Sequence, residues 1–532
     1  MPTECISFRE TNYFSDLICD YLDQKPELKA FYNRYPSLEN FAEQIEEKSK
    51  SGHLERSRKV LLEVLKEQYQ NIETSELTSE HIESLTSQKT FTITTGHQLN
   101  LFTGPLYFLY KIISVINLTK ELKAAYPEYN FVPVYWMASE DHDFEEINYF
   151  NFKGTKIQWN SSQTGAVGHF NLEGLDAVYK VVAEAFGPGE NAEQLKIWFE
   201  SAYLKHKNLA DATRYLANEL FGKHGLVIID ADHKDLKQSF IPHIKKELLD
   251  QSSFNDVTKV NTQLESLGYG IQVNPREINF FYIHEGIRER IVFEDGVYKV
   301  NNTSMSWSKT EMLKHLDEVP ERFSPNVIMR PLYQEVILPN LCYIGGGGEL
   351  AYWLQLKQNF ESHKVTFSML LLRNSALIKS EKQDKKQQKL GVTNSDLFLK
   401  RESFINKKVR QISNIDIDFS DQKEHLKSQF EALYKLAEQT DTSFVGAVKA
   451  QEVKQIKGLE HLEKRLLKAQ KRKLADEVER MTDIQEQLFP GQSLQERNTN
   501  FSELYLEYGD NLIERLMETL QPLKGDFLVL TI

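Results

Sequence analysis

Cysteine is scarce in this chain of 532 residues, which contains only Cys5, Cys19 and Cys342. No two of them form a C-x-x-C pair, so the sequence supports neither a disulfide framework nor a structural zinc site. The first residues, MPTECISFRE, lack the basic and apolar regions of a signal peptide. From these features we expect a protein of the reducing cytoplasm.

The sequence also lacks long apolar runs and a positive net charge. No run of about 18 apolar residues occurs, so we expect no transmembrane helix and no membrane partner. The net charge is −13, which argues against a surface for duplex nucleic acid. Neither G-x-G-x-x-G nor G-x-x-x-x-G-K-[ST] is present, so neither a dinucleotide site nor a P-loop is supported.

The order of strands and helices predicts an α/β fold with a parallel sheet. Strand, glycine turn, long helix and strand follow one another from 89 to 150, which is typical of a βαβ unit. Further apolar strands are expected in GLVIIDADH, NLCYI and KVTFSMLLLR. Between them, 151–220 looks mostly helical and 271–302 reads as antiparallel strands. We predict a discontinuous, doubly wound core with two inserts.

The chain after about residue 380 is dense in charge and reads as long helices. Leu459, Leu462 and Leu466 have the spacing of a coiled-coil seam, and 421–440 would form the second arm of an antiparallel helical hairpin. We expect this hairpin to mediate or support a homodimer. The last residues, GDFLVLTI, predict a short terminal strand.

The first of three unusual strand ends is TTGHQLNLFTGP, and ligands of open parallel sheets bind where strands end. It contains Gly96, His97, Gln98, Thr103 and Gly104. The glycines would let a ligand approach the backbone, and the first amides of the next helix would form an anion site. The alternative is that the glycines only shape a loop, which His97 caps.

The second strand end carries Glu140, Asp141, His142 and Asp143, after Trp136. Carboxylates packed together raise one another's pKa values, which suits binding an ammonium group and accepting its proton. A metal site is a competing interpretation, but no paired cysteines or second histidine at helical spacing support it, and we predict no metal. An acidic helix N-terminus is a third interpretation.

The third strand end consists of glycines before an acid, in Gly345, Gly346, Gly347, Gly348 and Glu349. Four successive glycines cost chain entropy, which favours the close approach of a ligand. A glutamate near a helix start would repel a phosphate. The motif therefore indicates a cationic group on the ligand.

The segment before these glycines, SPNVIMRPLYQEVILP, supplies Asn326, Arg330 and Gln334. We predict that Arg330 clamps a carboxylate with its planar fork, and an interdomain salt bridge is the alternative. Together the three strand ends offer an anion cradle, a clamp and an acidic patch, which suits joining an amine to a carboxylic acid. Paired carboxylates also suit a sugar-processing hydrolase.

Four motifs follow in a fixed order along nearly the whole chain: TTGHQLNLFTGPLYFLYK, PVYWMASEDHDFEEIN, SPNVIMRPLYQEVILPNLCYIGGGGELAYW and LFPGQSLQERNTNF. The set resembles the cysteine ligase family of bacillithiol biosynthesis. The resemblance implies a Rossmann-type, nucleotidyltransferase-like core, two connective-peptide-like inserts and a C-terminal coiled coil that supports dimerisation. It also implies the reaction, the addition of cysteine to the amine of glucosaminyl malate in the last step of the pathway.

The resemblance also implies functional residues in each motif. They are Gly96, Gln98, Thr103 and Gly104 in the first, Glu140, Asp141, His142 and Asp143 in the second, and Asn326, Arg330, Gly345, Gly346, Glu349 and Tyr352 in the third. His97 stands where the family commonly has glutamine. The lysine-serine loop of adenylating Rossmann ligases and the zinc ligands of related cysteine-activating enzymes are not evident.

With this fold we expect the chain to divide into eight segments. They are an N-terminal helical part of the core (1–88), the first core half (89–150), a helical insert (151–220), a core strand (221–240), a strand-containing insert (241–323), the second core half (324–380), the coiled coil (381–488) and a C-terminal segment returning to the core (489–532).

Lys471 and Arg472 belong to a basic stretch of the predicted coiled coil. A solvated helix face explains such a stretch, but if the face turns toward the core it would attract an adenine nucleotide, ATP or ADP. Another function remains open beside the ligase and the hydrolase. It is a non-catalytic assembly factor whose coiled coil recruits the enzyme of the pathway.

Overall fold

The computed structural model describes residues 3–52 and 54–532. Its central sheet contains β1 (Thr90–His97), β2 (Asn130–Met137), β3 (Val227–Asp230), β4 (Asn340–Gly345) and β5 (Met369–Leu372). All neighbouring strands are parallel, in the order β5-β4-β1-β2-β3. The order reverses between β1 and β4, which is the switch point where doubly wound sheets bind ligands. The predicted α/β core is confirmed.

The crossover from β1 to β2 is the helix Tyr107–Ala125, which is apolar and buried along most of its length. Two parallel strands require such a crossover, and a helix that is apolar all round belongs inside the protein. Lys111, in the first turns of this helix, is a charged residue, yet it is only 3% exposed. A lysine so buried needs partners, and these lie at the site described below.

The segment before β1 is mostly helical, as predicted, but it begins with the strand Thr3–Ile6, which the sequence analysis missed. Its α-helices are Phe8–Thr11, Asp16–Leu22, Asn40–Ser49, Leu54–Gln68 and Glu76–Ser84, with a 3₁₀ helix at Pro26–Phe31. The turn after β1 is a 3₁₀ helix, Leu101–Thr103.

The first insert begins with the short helix Phe144–Ile147 and an antiparallel hairpin, Tyr149–Phe152 with Thr155–Gln158. It continues in helices, as predicted. They are the 3₁₀ turn Val167–His169, the α-helices Leu175–Phe186, Glu190–Lys205 and Leu209–Phe221, and the 3₁₀ turn Gly222–His224.

The second insert is less purely stranded than its sequence suggested. It opens with two helices, Lys234–Asp250 and Ser252–Ser266, so the predicted boundary at residue 240 is wrong because it falls inside the first of them. An antiparallel five-stranded sheet follows, in the spatial order Ser306–Ser308, Val297–Val300, Ile287–Glu294, Phe280–His284 and Phe323–Pro325. The helix Lys309–Glu318 and the 3₁₀ turn Pro320–Arg322 lie between its last two strands in the chain.

The second half of the core adds the helices Arg330–Ile337, Gly347–Trp353 and Lys357–His363. The terminal strand predicted in GDFLVLTI is present as Phe527–Thr531. It lies between Thr3–Ile6, to which it is antiparallel, and Ser375–Lys379, to which it is parallel. These three strands form a second small sheet.

The C-terminal region is helical up to that strand. Its α-helices are Glu381–Lys389, Asn394–Leu397, Arg401–Ile412, Ser420–Ala437, Thr442–Lys473, Ala475–Leu488, Gln495–Asn498, Phe501–Tyr508 and Asn511–Thr519, with 3₁₀ turns at Pro490–Gln492 and Pro522–Lys524. Within the described ranges, none of the helices has the length and the hydropathy that a membrane span requires.

The predicted hairpin forms between Ser420–Ala437 and Thr442–Lys473, but the predicted seam is wrong in part. Leu462 is 53% exposed. The arms instead pack through Phe430, Ala437 and Val448 near the turn. The seam pattern also breaks at Leu474, where one helix ends and the next begins. A three-four spacing of leucines identified the helix but did not identify which side faces the other arm.

Candidate active site

A cavity of about 1010 Å³ lies at the carboxyl ends of β1, β2 and β4, and the second insert forms its far wall. It brings together residues from all three predicted motifs. Those that line it are Gly96, His97, Gln98, Trp136, Glu140, Asp141, His142, Asp143, Asn326, Arg330, Gly346, Gly348, Glu349 and Tyr352. The strand ends therefore meet at one place, as the parallel topology requires.

Several predicted residues lie outside this lining. They are Thr103, Gly104, Gln334, Gly345, Gly347, Lys471 and Arg472. Gly104 has φ +64°, and an added Cβ would lie 2.7 Å from the Cβ of Asn100, so this glycine serves the loop. A Cβ on Gly345 would lie 2.9 Å from Tyr343 and from Leu350. The structure therefore explains these two glycines by packing, not by a ligand.

Glu140 is the most buried acid of the second motif, with its side chain 13% exposed. Its carboxylate lies 2.5 Å from the ammonium of Lys237, which also contacts Asp232 at 2.8 Å. Burial raises the pKa of Glu140 to about 7, helped by Asp232 and opposed by Lys237. Burial acts in the same direction on Asp232, but Lys237 and His169 outweigh it and hold that pKa below its ordinary value.

The other residues of the second motif are more accessible. Asp141 accepts a hydrogen bond from Gln98 Nε2 at 3.2 Å, and its other oxygen lies 3.8 Å from Arg288. Arg288 also donates to His142 Nδ1 at 2.5 Å, so this nitrogen of His142 acts as the acceptor. Asp143 is 55% exposed at the rim. Glu140 thus combines burial with a pKa raised to about 7.

Glu349 lies across the cavity and is held by three donors. Its carboxylate contacts Lys111 Nζ at 2.6 Å, and it accepts from Tyr343 Oη at 2.7 Å and from Gly346 N at 2.8 Å. Burial alone would raise its pKa, but Lys111 and the two other donors outweigh it and lower the pKa. Lys111 already balances the charge of Glu349, so the cationic ligand group expected here stays a prediction that these contacts do not require.

The anion site at the start of the helix after β1 stays a prediction. After β1 the α-helix begins only at Tyr107, beyond the 3₁₀ turn. At the glycine motif the free N–H of Gly346 is occupied by the Glu349 side chain. The cationic side chains of the cavity are further candidates for binding an anion.

Arg330 is the strongest candidate for an anion-binding group. Its guanidinium donates to Gln334 Oε1 at 3.2 Å and to Tyr352 Oη at 3.0 Å, and it lies over the ring of Tyr343. Among the side chains of residues 4–52 and 57–532, no carboxylate lies within salt-bridge distance of it. The alternative of an interdomain salt bridge is therefore wrong. Gln334 fixes the orientation of the guanidinium by accepting a hydrogen bond from it.

His97 is 6% exposed and packs between the rings of Tyr107 and Phe108. Burial, followed by the charge of Lys111, lowers its pKa to about 3. The imidazole is therefore neutral at physiological pH. Its Nε2 atom is buried without a hydrogen-bond partner in the described part of the chain, so it could still bind a polar group in the cavity.

The sequence analysis missed Lys111, Lys237, Arg288 and Tyr343. Lys111 had a signal, because a single lysine interrupts the apolar run LYFLYKIISVINL. Lys237 had none, since HKDLKQSF reads as an ordinary amphipathic helix start. Arg288 and Tyr343 come from strands whose partners only the tertiary structure defines.

The cavity carries charge of both signs. Its cationic side chains are Lys111, Arg276, Arg288, Arg290, Arg330, Arg373 and Arg497, and its acidic ones are Glu140, Asp141, Asp143, Glu146 and Glu349. Within the described ranges, no group of three His, Cys, Asp or Glu side chains is arranged to hold a metal ion. Such a cavity suits a ligand that carries both a carboxylate and an amine.

Two family models match the chain. "Bacillithiol biosynthesis BshC, N-terminal Rossmann-like domain" matches residues 1–374, and "Bacillithiol biosynthesis BshC, C-terminal coiled-coil domain" matches residues 376–532. A protein of Christiangramia forsetii is 61% identical over 100% of this chain and 99% of its own length. Proteins of Flavobacterium johnsoniae, at 60% identity, and Flavobacterium psychrophilum, at 59%, match over 100% of this chain and 100% and 99% of their own lengths. All three carry the provisional name cysteine ligase BshC.

The doubly wound sheet, with a charged cavity at its switch point and a helical C-terminal region, defines a Rossmann-like protein with a coiled-coil domain. Both halves of the chain match the same family at nearly full length. The chain belongs to the bacillithiol biosynthesis BshC family.

Proposed function

We propose that this protein is a ligase that joins the carboxyl group of L-cysteine to the amine of glucosaminyl malate. The observation that carries the proposal is the cavity itself, which Glu140 lines together with several cationic side chains. One of these is Arg330, whose described partners are the neutral groups of Gln334 and Tyr352. The name of the relatives and the family description support the same reaction and do not favour a hydrolase or an assembly factor. The reaction belongs in the cytoplasm, and the free thiols of Cys5, Cys19 and Cys342 fit that compartment.

The amine must lose a proton before it can attack. A general base works best when its pKa is near the operating pH, and Glu140, with a pKa raised by burial to about 7, meets that condition. Asp141, next to it on the same strand end, can hold the ammonium form by charge. In this proposal, Glu140 takes the proton of the ammonium group, and the free amine then attacks the cysteinyl carbonyl carbon.

The carboxylates of the substrates need cationic partners. Arg330 presents two guanidinium nitrogens that are fixed by Gln334 and Tyr352. A planar fork held in this way can bind a carboxylate through two hydrogen bonds. Amide formation from a free carboxylate is uphill in water, so the cysteinyl group must arrive in an activated form.

An adenine nucleotide is our proposal for the source of that activation. Lys471 and Arg472 are in the last turn of Thr442–Lys473, outside the lining of the cavity. If they bind ATP or ADP, Lys471→Glu combined with Arg472→Glu weakens the affinity for ADP in calorimetric titration. An affinity equal to that of the wild type would leave these residues as an ordinary charged surface.

The reaction can be tested with the purified protein, cysteine, glucosaminyl malate and ATP. The expected product is the cysteinyl amide, seen by mass spectrometry as the sum of the two substrates minus water. In cells, deletion of the gene should remove bacillithiol and accumulate glucosaminyl malate. Normal bacillithiol after complementation with Glu140→Ala, Asp143→Ala would instead support the assembly factor.

We also propose that the hairpin supports a homodimer. Leu462 is exposed in the single chain together with Leu433, Leu436 and Val453, which are 43–54% exposed, so a partner would cover apolar side chains of the hairpin. Leu462→Asp with Leu436→Asp should give a monomer in light scattering, with unchanged circular dichroism. An unperturbed dimer would place the interface elsewhere.

A further inference from the structure

A row of charged side chains leads from the cavity to the protein surface. Glu140 lines the cavity and contacts Lys237 at 2.5 Å. Lys237 contacts Asp232 at 2.8 Å, and Asp232 contacts His169 Nε2 at 2.7 Å. No other residue of the row lines the cavity.

The burial of these four side chains has a direction. The exposed fractions are 13% for Glu140, 1% for Lys237, 7% for Asp232 and 60% for His169. The row therefore begins at a group facing the ligand, passes through the interior and ends in solvent. Unpaired charges so deeply buried would be costly, so the contacts along the row are obligatory in the folded protein.

The backbone fixes the exposed end of the row. The 3₁₀ turn Val167–His169 docks on the acidic motif, with Val167 N donating to Asp141 O at 2.7 Å and Gly168 N to Ser139 O at 2.8 Å. A Cβ on Gly168 would lie 2.6 Å from the Cβ of Ser139, so only glycine permits this approach. The first insert thus delivers His169 to the row by a close backbone contact.

We propose that Lys237, Asp232 and His169 form a proton relay that carries the proton taken up by Glu140 out to solvent. Resting on the ligase reaction proposed above, the relay restores the base after each turnover. His169, Asp232 and Lys237 are positioning and relay groups, because none of them touches the substrate. The chemistry of such a row suits any amine substrate whose proton must leave the cavity.

The proton balance is complete at each step. The substrate ammonium gives one proton to the Glu140 carboxylate, and the resulting carboxylic acid passes it to Lys237. The lysine ammonium gives a different proton to Asp232 in the same motion and so remains charged, and Asp232 passes it to the neutral imidazole of His169. The imidazolium then releases it to water. No oxidant, reductant or further reactant is needed.

The charges around the relay favour this direction. Glu140 faces Lys237, Asp232 and Arg288. His169 faces Asp232 and, further away, Asp230 and Lys237, and the hydrogen bond with Asp232 raises its pKa. An exposed imidazole with a raised pKa accepts a proton near neutral pH and exchanges it quickly with water.

The test replaces His169 with a residue that keeps polarity but cannot carry a proton. In His169→Gln we expect kcat for cysteine transfer to fall about tenfold, less than the ~100-fold expected for loss of the base itself. The KM for glucosaminyl malate should stay the same, and added imidazole buffer should restore kcat in proportion to its concentration. The matched control is His461→Gln, an exposed histidine of the coiled coil, which should leave both parameters unchanged.

Two results would overturn the relay. One is a His169→Gln enzyme with the kcat and the pH profile of the wild type. The other is a loss of kcat that imidazole does not restore, which would indicate a purely structural role for His169.

A second readout separates the relay from the proposed reaction. If the wild type makes no amide, the ligase proposal fails, and the relay is then judged by nuclear magnetic resonance titration of the His169 ring. Coupling along the row predicts that Glu140→Gln lowers the titration midpoint of His169. An identical midpoint in the two proteins would contradict the relay on its own.

Discussion

Two glutamates on opposite walls of the cavity each contact a buried lysine, yet their proton affinities differ. Glu140 pairs with Lys237 and has a pKa raised to about 7, whereas the pKa of Glu349, paired with Lys111, is lowered. The lysine alone therefore does not decide the protonation state. The protonation state depends also on how many other donors the carboxylate has and on whether a second acid lies nearby.

The surroundings of the two pairs explain the difference. Glu349 has its lysine together with a hydroxyl and a backbone N–H, and these donors stabilise its charged form. Glu140 shares its lysine with Asp232, whose negative charge works against ionisation. One glutamate is thus a fixed anion of the framework, and the other can exchange a proton. This difference is the reason that Glu140, and not Glu349, is the proposed base.

The largest expected effect comes from removing the lysines. Lys237→Met and Lys111→Met each leave a buried carboxylate without its cation, which should cost about 3–5 kcal/mol in the free energy of unfolding. Urea unfolding followed by circular dichroism measures this loss. Lys120→Met, on an exposed turn of the same helix as Lys111, is the control and should change little. A loss below about 1 kcal/mol in either variant would show that the pair is not buried as described.

The roles of the two glutamates can be separated by amide substitution. Glu140→Gln should lower kcat by about 100-fold or more, because glutamine cannot accept a proton. Glu349→Gln keeps the hydrogen bond from Gly346 available and removes only a charge that never changes, so its effect should fall mainly on stability. Both variants need a check of folding by thermal unfolding. Equal losses of kcat would end the distinction between base and framework.

The next expected effect is smaller and concerns substrate binding by Arg330, which lines the same cavity. Lysine keeps the positive charge but loses the planar fork, so Arg330→Lys should weaken binding of cysteine or glucosaminyl malate about tenfold. Isothermal titration of each substrate shows which one loses affinity. Arg288→Lys, next to Asp141, is the matched substitution on the opposite wall. Unchanged affinity for both substrates would make Arg330 a packing residue.

The last prediction concerns the pH dependence of stability, which changes gradually over several pH units. The folded pKa of Glu140 lies above the unfolded value of 4.5, so its contribution is fully present below about pH 4.5 and is lost as pH rises through about 7. Glu349 has the opposite sign, because its folded pKa is lowered and its contribution is lost as pH falls. The free energy of unfolding should fall by at most about 1.4 kcal/mol per pH unit from Glu140 between those pH values. In Glu140→Gln this slope should vanish, and a slope that persists would assign it to another group.

The general position of the site could be predicted from the sequence, because it follows from topology. Apolar strands that end in TTGH, SEDHD and IGGGG must meet at one edge if the sheet is parallel, and they do. The partners of the charged groups could not be predicted. Lys237 belongs to the helix Lys234–Asp250, and its contact with Glu140 arises only when that helix packs against Leu54–Gln68 and Arg330–Ile337.

The glycines show a second limit. A run of four glycines predicted a close ligand approach, but Gly345 and Gly347 face side chains of the core, whereas Gly346 and Gly348 line the cavity. A glycine in the sequence indicates that a larger side chain does not fit at that position. It does not indicate whether a ligand or another side chain occupies the space beside it. The same limit applies to the hairpin, where leucine spacing predicted the helix but not the side on which Leu462 lies.

The small three-stranded sheet has a consequence for biosynthesis on the ribosome. Thr3–Ile6 emerges early, yet the only strand it pairs with in the described sheets is Phe527–Thr531, which emerges more than 500 residues later. Ser375–Lys379 also pairs with Phe527–Thr531 and cannot do so before that strand is synthesised. This sheet can therefore close only after Phe527–Thr531 has left the ribosome, and a polypeptide that stalls before Phe527 would carry two unpaired strand edges, which marks it for quality control by chaperones and proteases.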